Sequence, residues 1–149
     1  MNAFAYWLYL FGGILLYMAP LFGGWAEGGW VTYFPFASSE YQPQAGVDSW
    51  ILGLQLVGFS SIFGGINFIV TMVNLRTPGM GWRQLPMFGW AMMATSFLQV
   101  LATPGITAAT MITLLDRTTG ISLYNPAIGG DPVLYQHLFW FYSHPAVYI

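Results

Sequence analysis

The sequence predicts an all-α, polytopic membrane protein, and three observations support this prediction. Of its 149 residues, 56% are hydrophobic and 5% are charged, whereas a soluble domain carries about 25% charged residues. The few charges are separated by long charge-free stretches, and about 20 apolar residues in a helix cross a bilayer. The chain lacks cysteine and its net charge is −2, which excludes a disulfide framework and argues against a nucleic-acid partner.

Four membrane-spanning helices are expected, at residues 1–24, 49–75, 84–115 and 133–149. The first three spans contain no charged residue and are long enough to cross the hydrocarbon core. The fourth span is also free of charge, but it reaches the last residue and is expected to be truncated. We therefore expect the chain to be a fragment of a single, larger transmembrane domain.

The loops between the spans predict the orientation of the chain. Arg76 and Arg83 flank the short turn between the second and third spans and are two of the three basic residues. The loop at residues 27–48 holds three acidic residues and no basic one. Because basic residues are enriched in loops that stay on the cytoplasmic or matrix side, we expect the Arg76–Arg83 turn on that side. The loops at 27–48 and 116–131 are then expected to face outward.

The fourth span contains the residues that indicate a functional site. His144 and Tyr148 are four residues apart, a spacing that places both side chains on one face of a helix, one turn apart. Ionisable groups at bilayer depth are costly, so a functional site is the default interpretation. A buried histidine that only hydrogen-bonds a neighbouring helix is the alternative for His144. Tyr148 lies about 22 Å along a helix that begins near Val133, too deep for an interfacial aromatic belt.

Three further residues surround His144 on the same predicted helix. Trp140 precedes it by one turn, so its indole can lie near the imidazole. Pro145 removes an intrahelical hydrogen bond and is expected to loosen the helix beside His144. His137 lies two turns before His144, about 10.5 Å along the helix, so the two cannot both ligate one metal directly. We interpret His137 as a structural or hydrogen-bonding residue.

Several ordered motifs resemble subunit I of the haem–copper terminal oxidases. Residues 129–141 (GGDPVLYQHLFWF) and 144–149 (HPAVYI) are similar to the start of the sixth transmembrane helix of that family. The similarity also covers the fourth helix, its exit and the end of the fifth helix, at residues 58–61 (GFSS), 65–68 (GINF), 74–80 (NLRTPGM) and 114–117 (LLDR). The resemblance implies a twelve-helix transmembrane bundle, of which this chain covers about helices III to early VI.

The resemblance implies roles for residues near the end of the chain. His144 matches the histidine that ligates the active-site copper, and imidazole is a suitable copper ligand. Tyr148 matches the catalytic tyrosine that is covalently linked to this histidine and that gives an electron and a proton when the O–O bond breaks. Trp140 matches a tryptophan packed near the copper ligands, and Val147 lies beside the same site in the motif.

The resemblance also implies a proton pathway through the earlier spans. Three polar residues match positions of a proton-conducting pathway in the family, namely Asn2, Ser60 and Ser61. Hydrogen bonding between helices inside the membrane is an equally good interpretation of all three. The residue types and their positions are compatible with both roles.

The end of this pathway differs from the commonest form of the family. That form has a glutamate directly after the proline, where this chain has Ala146. Tyr142 and Ser143 stand just before His144 and resemble the subtype in which a Tyr-Ser pair replaces the glutamate. A phenol can relay protons through water, although less readily than a carboxylate.

The function implied by the resemblance is that of the catalytic subunit I of a respiratory terminal oxidase, which reduces O2 to water and couples this reaction to transmembrane proton transfer. The implied cofactors are copper and two haems, whose other ligands lie outside this chain, so the fragment alone is expected to be inactive. The implied partners are oxidase subunits II and III, the electron donor cytochrome c or a quinol, O2 and membrane lipid. We expect a bacterial cytoplasmic membrane rather than a mitochondrial inner membrane.

Three alternatives stay open at this point. A quinol-oxidising relative differs from the first interpretation only in its electron donor. A nitric oxide reductase of the same superfamily is disfavoured by Tyr148, which those enzymes lack on this helix. A membrane transporter or channel, in which His144 and Tyr148 bind substrate or relay protons, is disfavoured by the ordered matches along all four spans.

Overall fold

The computed structural model describes residues 1–121 and 123–149. Within these residues the chain forms four α-helices and three short 3-10 helices and contains no β-strand. The α-helices are α1 (Asn2–Met18), α2 (Ala45–Asn74), α3 (Met87–Thr119) and α4 (Pro132–Ala146), and the 3-10 helices are Ala19–Phe22, Trp82–Gln84 and Pro126–Ile128. The all-α prediction is confirmed.

Long apolar helices account for the first three predicted spans. Among the described residues, three helices are long and apolar enough to cross a membrane, namely Asn2–Phe22, Ala45–Asn74 and Met87–Thr119. Helix α2 begins before the predicted position 49, and α3 continues past the predicted position 115. These two helices include Asp48 and Arg117, which form an ion pair with each other. Because paired charges are tolerated near the membrane, neither charge ends its helix.

The helices pack in chain order, with α1 against α2, α2 against α3 and α3 against α4. The first pair is antiparallel and very close. A Cβ atom on Gly53 would lie 2.8 Å from the carbonyl oxygen of Gly12, and a Cβ atom on Gly12 would lie 2.9 Å from the carbonyl oxygen of Gly53. Ser49 Oγ donates a hydrogen bond to the Leu15 carbonyl at 2.9 Å. Small residues and such polar contacts are typical of helix association in membranes, where lipid removes the hydrophobic driving force.

Helix α3 carries a series of buried hydroxyl residues. They are Ser96, Thr103, Thr110 and Thr113, and each donates to the carbonyl four residues earlier in the same helix. Their polar groups are therefore satisfied within α3, which is the usual way to bury Ser and Thr in a helix. Gln55 of α2 reaches across and donates from Nε2 to the Thr107 carbonyl at 3.0 Å, so a polar contact also joins α2 to α3.

Arg117 fixes the loop between α1 and α2. Its side chain is 2% exposed and forms the ion pair with Asp48. The same guanidinium donates to the carbonyls of Ala37 at 2.9 Å, Gln42 at 2.8 Å and Gln44 at 3.0 Å. An arginine has five N–H donors in a fixed plane, so it can hold several acceptors at once. This loop is consequently tied to the ends of both α2 and α3, and three of its backbone carbonyls accept from one side chain.

Helix α4 begins as expected but ends earlier than the predicted span. Asp131 Oδ1 accepts a hydrogen bond from the Val133 N–H at 2.8 Å, which is a standard N-cap. The helix ends at Ala146, whereas the predicted span ran to residue 149. Val147 N–H bonds to the His144 carbonyl at 3.1 Å, and Tyr148 N–H bonds to the Pro145 carbonyl at 2.9 Å. These bonds reach back three residues instead of four, so the chain after α4 is a tightened, 3-10-like turn.

Candidate functional site

His144 and Tyr148 meet at the end of α4. His144 Nε2 and the Tyr148 hydroxyl oxygen are 2.9 Å apart and share a hydrogen bond. The two ring centroids are 5.0 Å apart and the rings are inclined at 73°. The predicted pairing of these two side chains is therefore present. The expectation that Tyr148 lies within the helix is wrong, because α4 ends at Ala146 and the tightened turn brings the phenol to the imidazole instead.

The donor set of this pair suits a transition metal. Because Nε2 of His144 is engaged by Tyr148, Nδ1 is the ring nitrogen that remains available to a metal. A neutral imidazole is a good ligand for copper, zinc, iron and nickel. His144 and Tyr148 are both exposed on this chain, Tyr148 by 68%. Within the described residues, no group of three or more His, Cys, Asp or Glu side chains is arranged to hold a metal, so His144 would supply one ligand of a larger set.

Trp140 lies one turn before His144 and is held by a residue from a distant loop. Its indole Nε1 donates a hydrogen bond to the hydroxyl of Tyr33, which lies between α1 and α2. Tyr33 also packs edge-on against Phe139, with ring centroids 6.5 Å apart. Tyr33 was not among the predicted site residues. The only sequence signal for it is the aromatic segment at residues 29–35, since the contact joins positions 107 residues apart.

A buried aromatic cluster supports the first turns of α4. Tyr124, Tyr135 and Phe139 are each at most 1% exposed and pack with Ile106 and Ala109 of α3. The Tyr124 hydroxyl donates to the Ala109 carbonyl at 3.0 Å, so this buried phenol is hydrogen-bonded. Burial raises the pKa of the Tyr124 phenol above its ordinary value, and it therefore stays neutral at physiological pH. The cluster holds α4 firmly against α3.

Tyr142 and Ser143 lie on the side of α4 that packs inside the chain. Tyr142 is half-buried and contacts the aromatic cluster of Tyr124, Tyr135 and Phe139. Ser143 is 5% exposed, and its Oγ has no hydrogen-bond partner in the described part of the chain. A buried hydroxyl without a partner is unusual. The Ser143 hydroxyl can form a hydrogen bond with a water molecule or with a polar group of another segment of the protein.

The remaining predicted pathway residues lie far from α4 along the packing order. Asn2 is exposed at the start of α1, and Ser61 is half-buried on α2. Ser60 Oγ donates to the Ala5 carbonyl at 2.7 Å and so joins α2 to α1. Hydrogen bonding between helices was the alternative to a proton-pathway role for Ser60, and this contact is of that kind. Helix α3 packs between α2 and α4, so the structure does not bring these three residues to Tyr142.

The structure thus brings part of the predicted site together. His144 and Tyr148 are in direct contact, and Trp140 lies one turn away on the same helix. Val147 lies in the turn between His144 and Tyr148 and is 75% exposed. The site residue that sequence reasoning missed is Tyr33, which contacts Trp140 from a distant segment. The loop anchor Arg117, also missed, has its contacts away from this site.

These features define a multi-pass helical membrane protein with a histidine–tyrosine pair at one helix end. Comparison with known families identifies the family of the chain. Residues 1–149 match the family model described as "Cytochrome C and Quinol oxidase polypeptide I". The match covers the whole chain, so the chain belongs to this family, which is that of subunit I of the haem–copper oxidases. The predicted resemblance is confirmed.

Curated relatives agree with the family match. The chain is 49% identical over 152 residues to the probable cytochrome c oxidase subunit 1-beta of Nocardia farcinica, and 49% identical over 149 residues to cytochrome c oxidase subunit 1 of Thermostichus vulcanus. It is 40% identical to cytochrome c oxidase subunit 1 of Bacillus subtilis. Each alignment covers 100% of this chain but only 25%, 26% and 24% of these relatives. The chain therefore spans about a quarter of their length.

Proposed function

We propose that this chain is part of the catalytic subunit I of a bacterial terminal oxidase, which reduces O2 to water and couples the reaction to proton transfer across the cytoplasmic membrane. The observation that carries the proposal is the 2.9 Å contact between His144 Nε2 and the Tyr148 hydroxyl. It lies in the segment that resembles the copper-ligating helix of the family to which the chain belongs. The family suggests which reaction is catalysed, and the contact suggests which residues of this chain take part in it.

In the proposed site, His144 ligates copper through Nδ1, and Tyr148 holds the imidazole through Nε2. The copper and a haem, when bound, supply the redox chemistry that reduces oxygen. Tyr148 would supply one electron and one proton to the oxygen that is being reduced, and the neutral phenoxyl radical that remains would be reduced again by the electron donor of the enzyme. Because Nδ1 would hold the metal, the proton of the neutral ring lies on Nε2, which then donates the hydrogen bond to the Tyr148 oxygen and leaves the phenol proton uncommitted.

We further propose that His144 and Tyr148 become covalently linked in the intact subunit. Their rings already lie edge to face, with centroids 5.0 Å apart. Forming one bond between the rings removes two electrons and two protons, which O2 can accept. The link would fix the phenol one turn from the metal ligand and remove the rotational freedom of both side chains. A positioned group reacts faster because its orientation is set before the reaction begins.

The commonest form of the family has a proton-carrying glutamate at the position of Ala146. We propose that Tyr142 and Ser143 deliver protons in this chain instead. Support comes from the half-buried phenol of Tyr142 and from the unpartnered, buried hydroxyl of Ser143. Together these groups can bind a water molecule and pass a proton along it. Asn2, Ser60 and Ser61 are proposed to line the earlier part of the pathway. The hydrogen bond from Ser60 to Ala5 leaves the serine oxygen able to accept from water.

Oxidase subunits II and III are proposed as partners, since relatives of this chain are named as subunit 1 of cytochrome c oxidases. The electron donor is cytochrome c or a quinol, because the family description includes both classes. A membrane transporter that uses His144 and Tyr148 is disfavoured, because the family match extends over the whole chain. The relatives compared are bacterial, which supports a location in a bacterial cytoplasmic membrane.

The test is the replacement Tyr148→Phe in the intact subunit, which removes the hydroxyl and keeps the ring. Loss of a positioned proton donor lowers rates by about 100-fold or more, so we expect steady-state oxygen consumption to fall by at least that factor. The haem absorption spectrum should not change. Tyr17→Phe is the matched control, because Tyr17 is 82% exposed on α1 and should leave turnover intact. Full turnover by the Tyr148 variant would refute the proposed role.

A further inference from the structure

The turn that joins α2 to α3 carries positive charge that the chain does not neutralise. It holds Arg76 and Arg83, two of the three basic residues. The sequence has no acidic residue between Asp48 and Asp116. Among the residues that the structure describes, the one ion pair uses Arg117 and lies near the opposite end of α2. An anion from outside the chain is therefore the natural counterpart of the turn.

One of these arginines is already held in place. Arg76 is half-buried, and its Nη1 donates to the Met72 carbonyl at 3.0 Å. Its guanidinium carbon lies 3.9 Å from the centre of the Trp82 ring, which is a cation–π contact. A guanidinium has five N–H donors, and Met72 is the one acceptor found for Arg76 in the described part of the chain. Donors therefore stay available on a side chain whose position is fixed.

The second arginine is exposed and follows the tryptophan that Arg76 contacts. Arg83 is exposed and follows Trp82 in the 3-10 helix Trp82–Gln84. That helix is anchored at its start, because Gly81 N–H donates to Gln84 Oε1 at 2.8 Å. Arg83 therefore stands on a hydrogen-bonded turn, in sequence directly after the ring that Arg76 covers. Guanidinium groups bind phosphate oxygens through two parallel hydrogen bonds, so a phosphate group is the anion that two such side chains suit.

Exposed apolar side chains stand directly beside the arginines. Leu75 is 75% exposed just before Arg76, and Phe88 at the start of α3 is also 75% exposed. The rings of Trp82 and Trp90 lie 5.9 Å apart and are 40% and 46% exposed. Tryptophan is enriched at the level of lipid headgroups. A free phosphate would use only the arginines, whereas a phospholipid also covers these apolar groups with its acyl chains.

We propose that the turn from Arg76 to Arg83 binds the headgroup of an anionic phospholipid at the cytoplasmic surface of the membrane. The phosphate lies between the guanidinium groups of Arg76 and Arg83, and the Trp82 ring fixes the first of them. The acyl chains lie along Leu75 and Phe88. Each arginine near an anionic headgroup strengthens binding about fivefold, so the two together favour an anionic lipid over a zwitterionic one by about 25-fold.

The experiment measures lipid binding to the intact oxidase by native mass spectrometry. Phosphatidylglycerol and phosphatidylcholine are titrated separately, and the haem absorption spectrum verifies the fold of each variant. In Arg76→Gln/Arg83→Gln, we expect the affinity for phosphatidylglycerol to fall about 25-fold while the affinity for phosphatidylcholine is unchanged. If this variant does not fold, Arg83→Gln alone decides, with an expected loss of about fivefold, because Arg83 is exposed and has no ion-pair partner in the described part of the chain.

Two controls separate the lipid from other anions and from a general effect of charge. Inorganic phosphate in millimolar excess should not displace phosphatidylglycerol, because phosphate lacks acyl chains. Glu40→Gln changes an exposed charge in the outer loop and should leave lipid binding unchanged. The proposal is overturned if the arginine variants bind phosphatidylglycerol within twofold of the unmodified oxidase. It is also overturned if phosphate displaces the lipid, or if Glu40→Gln alters binding as much as Arg83→Gln does.

Discussion

Arg117 is the residue whose replacement tests the packing of the loop between α1 and α2 most sharply. It is 2% exposed, forms an ion pair with Asp48, and donates to the carbonyls of Ala37, Gln42 and Gln44. Arg117→Met keeps an unbranched aliphatic stem but removes the guanidinium and with it every one of these donors. The carboxylate of Asp48 then loses its ion-pair partner, and each of the three carbonyl oxygens loses one hydrogen bond, although Gln44 still accepts from the Val47 N–H.

The expected cost follows from these contacts. Breaking a buried ion pair by removing one partner costs about 3–5 kcal/mol. Asp48 is 31% exposed and can regain some hydration, which favours the lower end, about 3 kcal/mol. That loss corresponds to a change of roughly 150-fold in the folding equilibrium. Arg117→Lys keeps the charge but loses the planar set of donors, so it should fall between Arg117→Met and the unmodified protein.

The assay is denaturant unfolding of the intact subunit in detergent, followed through its haem absorption. A double-mutant cycle with Asp48→Asn isolates the ion pair, because residues in direct contact are not additive. We expect the double variant to be less destabilised than the sum of the two single variants. Tyr17→Phe serves as the control, because Tyr17 is 82% exposed, and should stay within about 0.5 kcal/mol, as for other exposed sites. The reasoning is refuted if Arg117→Met unfolds within that same margin.

Two further variants test the proton pathway and the helix packing. Tyr142→Phe removes the proposed relay hydroxyl, so proton uptake during turnover should slow while oxygen binding is retained; unchanged uptake in a pH-indicator assay would leave the relay without support. Gly12→Ala places a Cβ atom 2.9 Å from the Gly53 carbonyl oxygen and should destabilise the protein by about 1–3 kcal/mol, the usual cost of overpacking. Gly13→Ala is its matched control, since nothing lies within 4 Å of the Cβ atom there, and equal stability of the two variants would contradict the close contact of α1 and α2.

Local patterns in the sequence predicted those parts of the fold that local interactions determine. The charge-free stretches marked three long helices, because an apolar stretch of this length has few alternatives in a membrane. The spacing of His144 and Tyr148 predicted their contact, which involves one turn of chain. The helix end at Ala146 was not predicted, because the tightening of the last turn beside Pro145 depends on which carbonyls accept the final N–H groups.

Contacts between distant segments could not be read from the sequence. The hydroxyl of Tyr135 donates to the Val31 carbonyl at 2.8 Å across 104 residues, and Trp140 meets Tyr33 in the same region. Helix α3 continues through Arg117 because that charge is neutralised by Asp48, 69 residues earlier. The residue types along one segment do not reveal such partners. For the same reason the sequence could not decide whether Ser60 conducts protons or joins two helices.

The measurement that tests the central claim most directly is the copper and haem content of the intact subunit I with and without His144→Ala. If His144 is a copper ligand, the variant should lose the copper of this subunit and keep its haems, whose ligands are expected on other helices. Tyr148→Phe should keep both, since the phenol holds the imidazole but does not ligate the metal. Retention of the copper in His144→Ala would contradict the account, because the His144–Tyr148 pair would then lie outside the metal site.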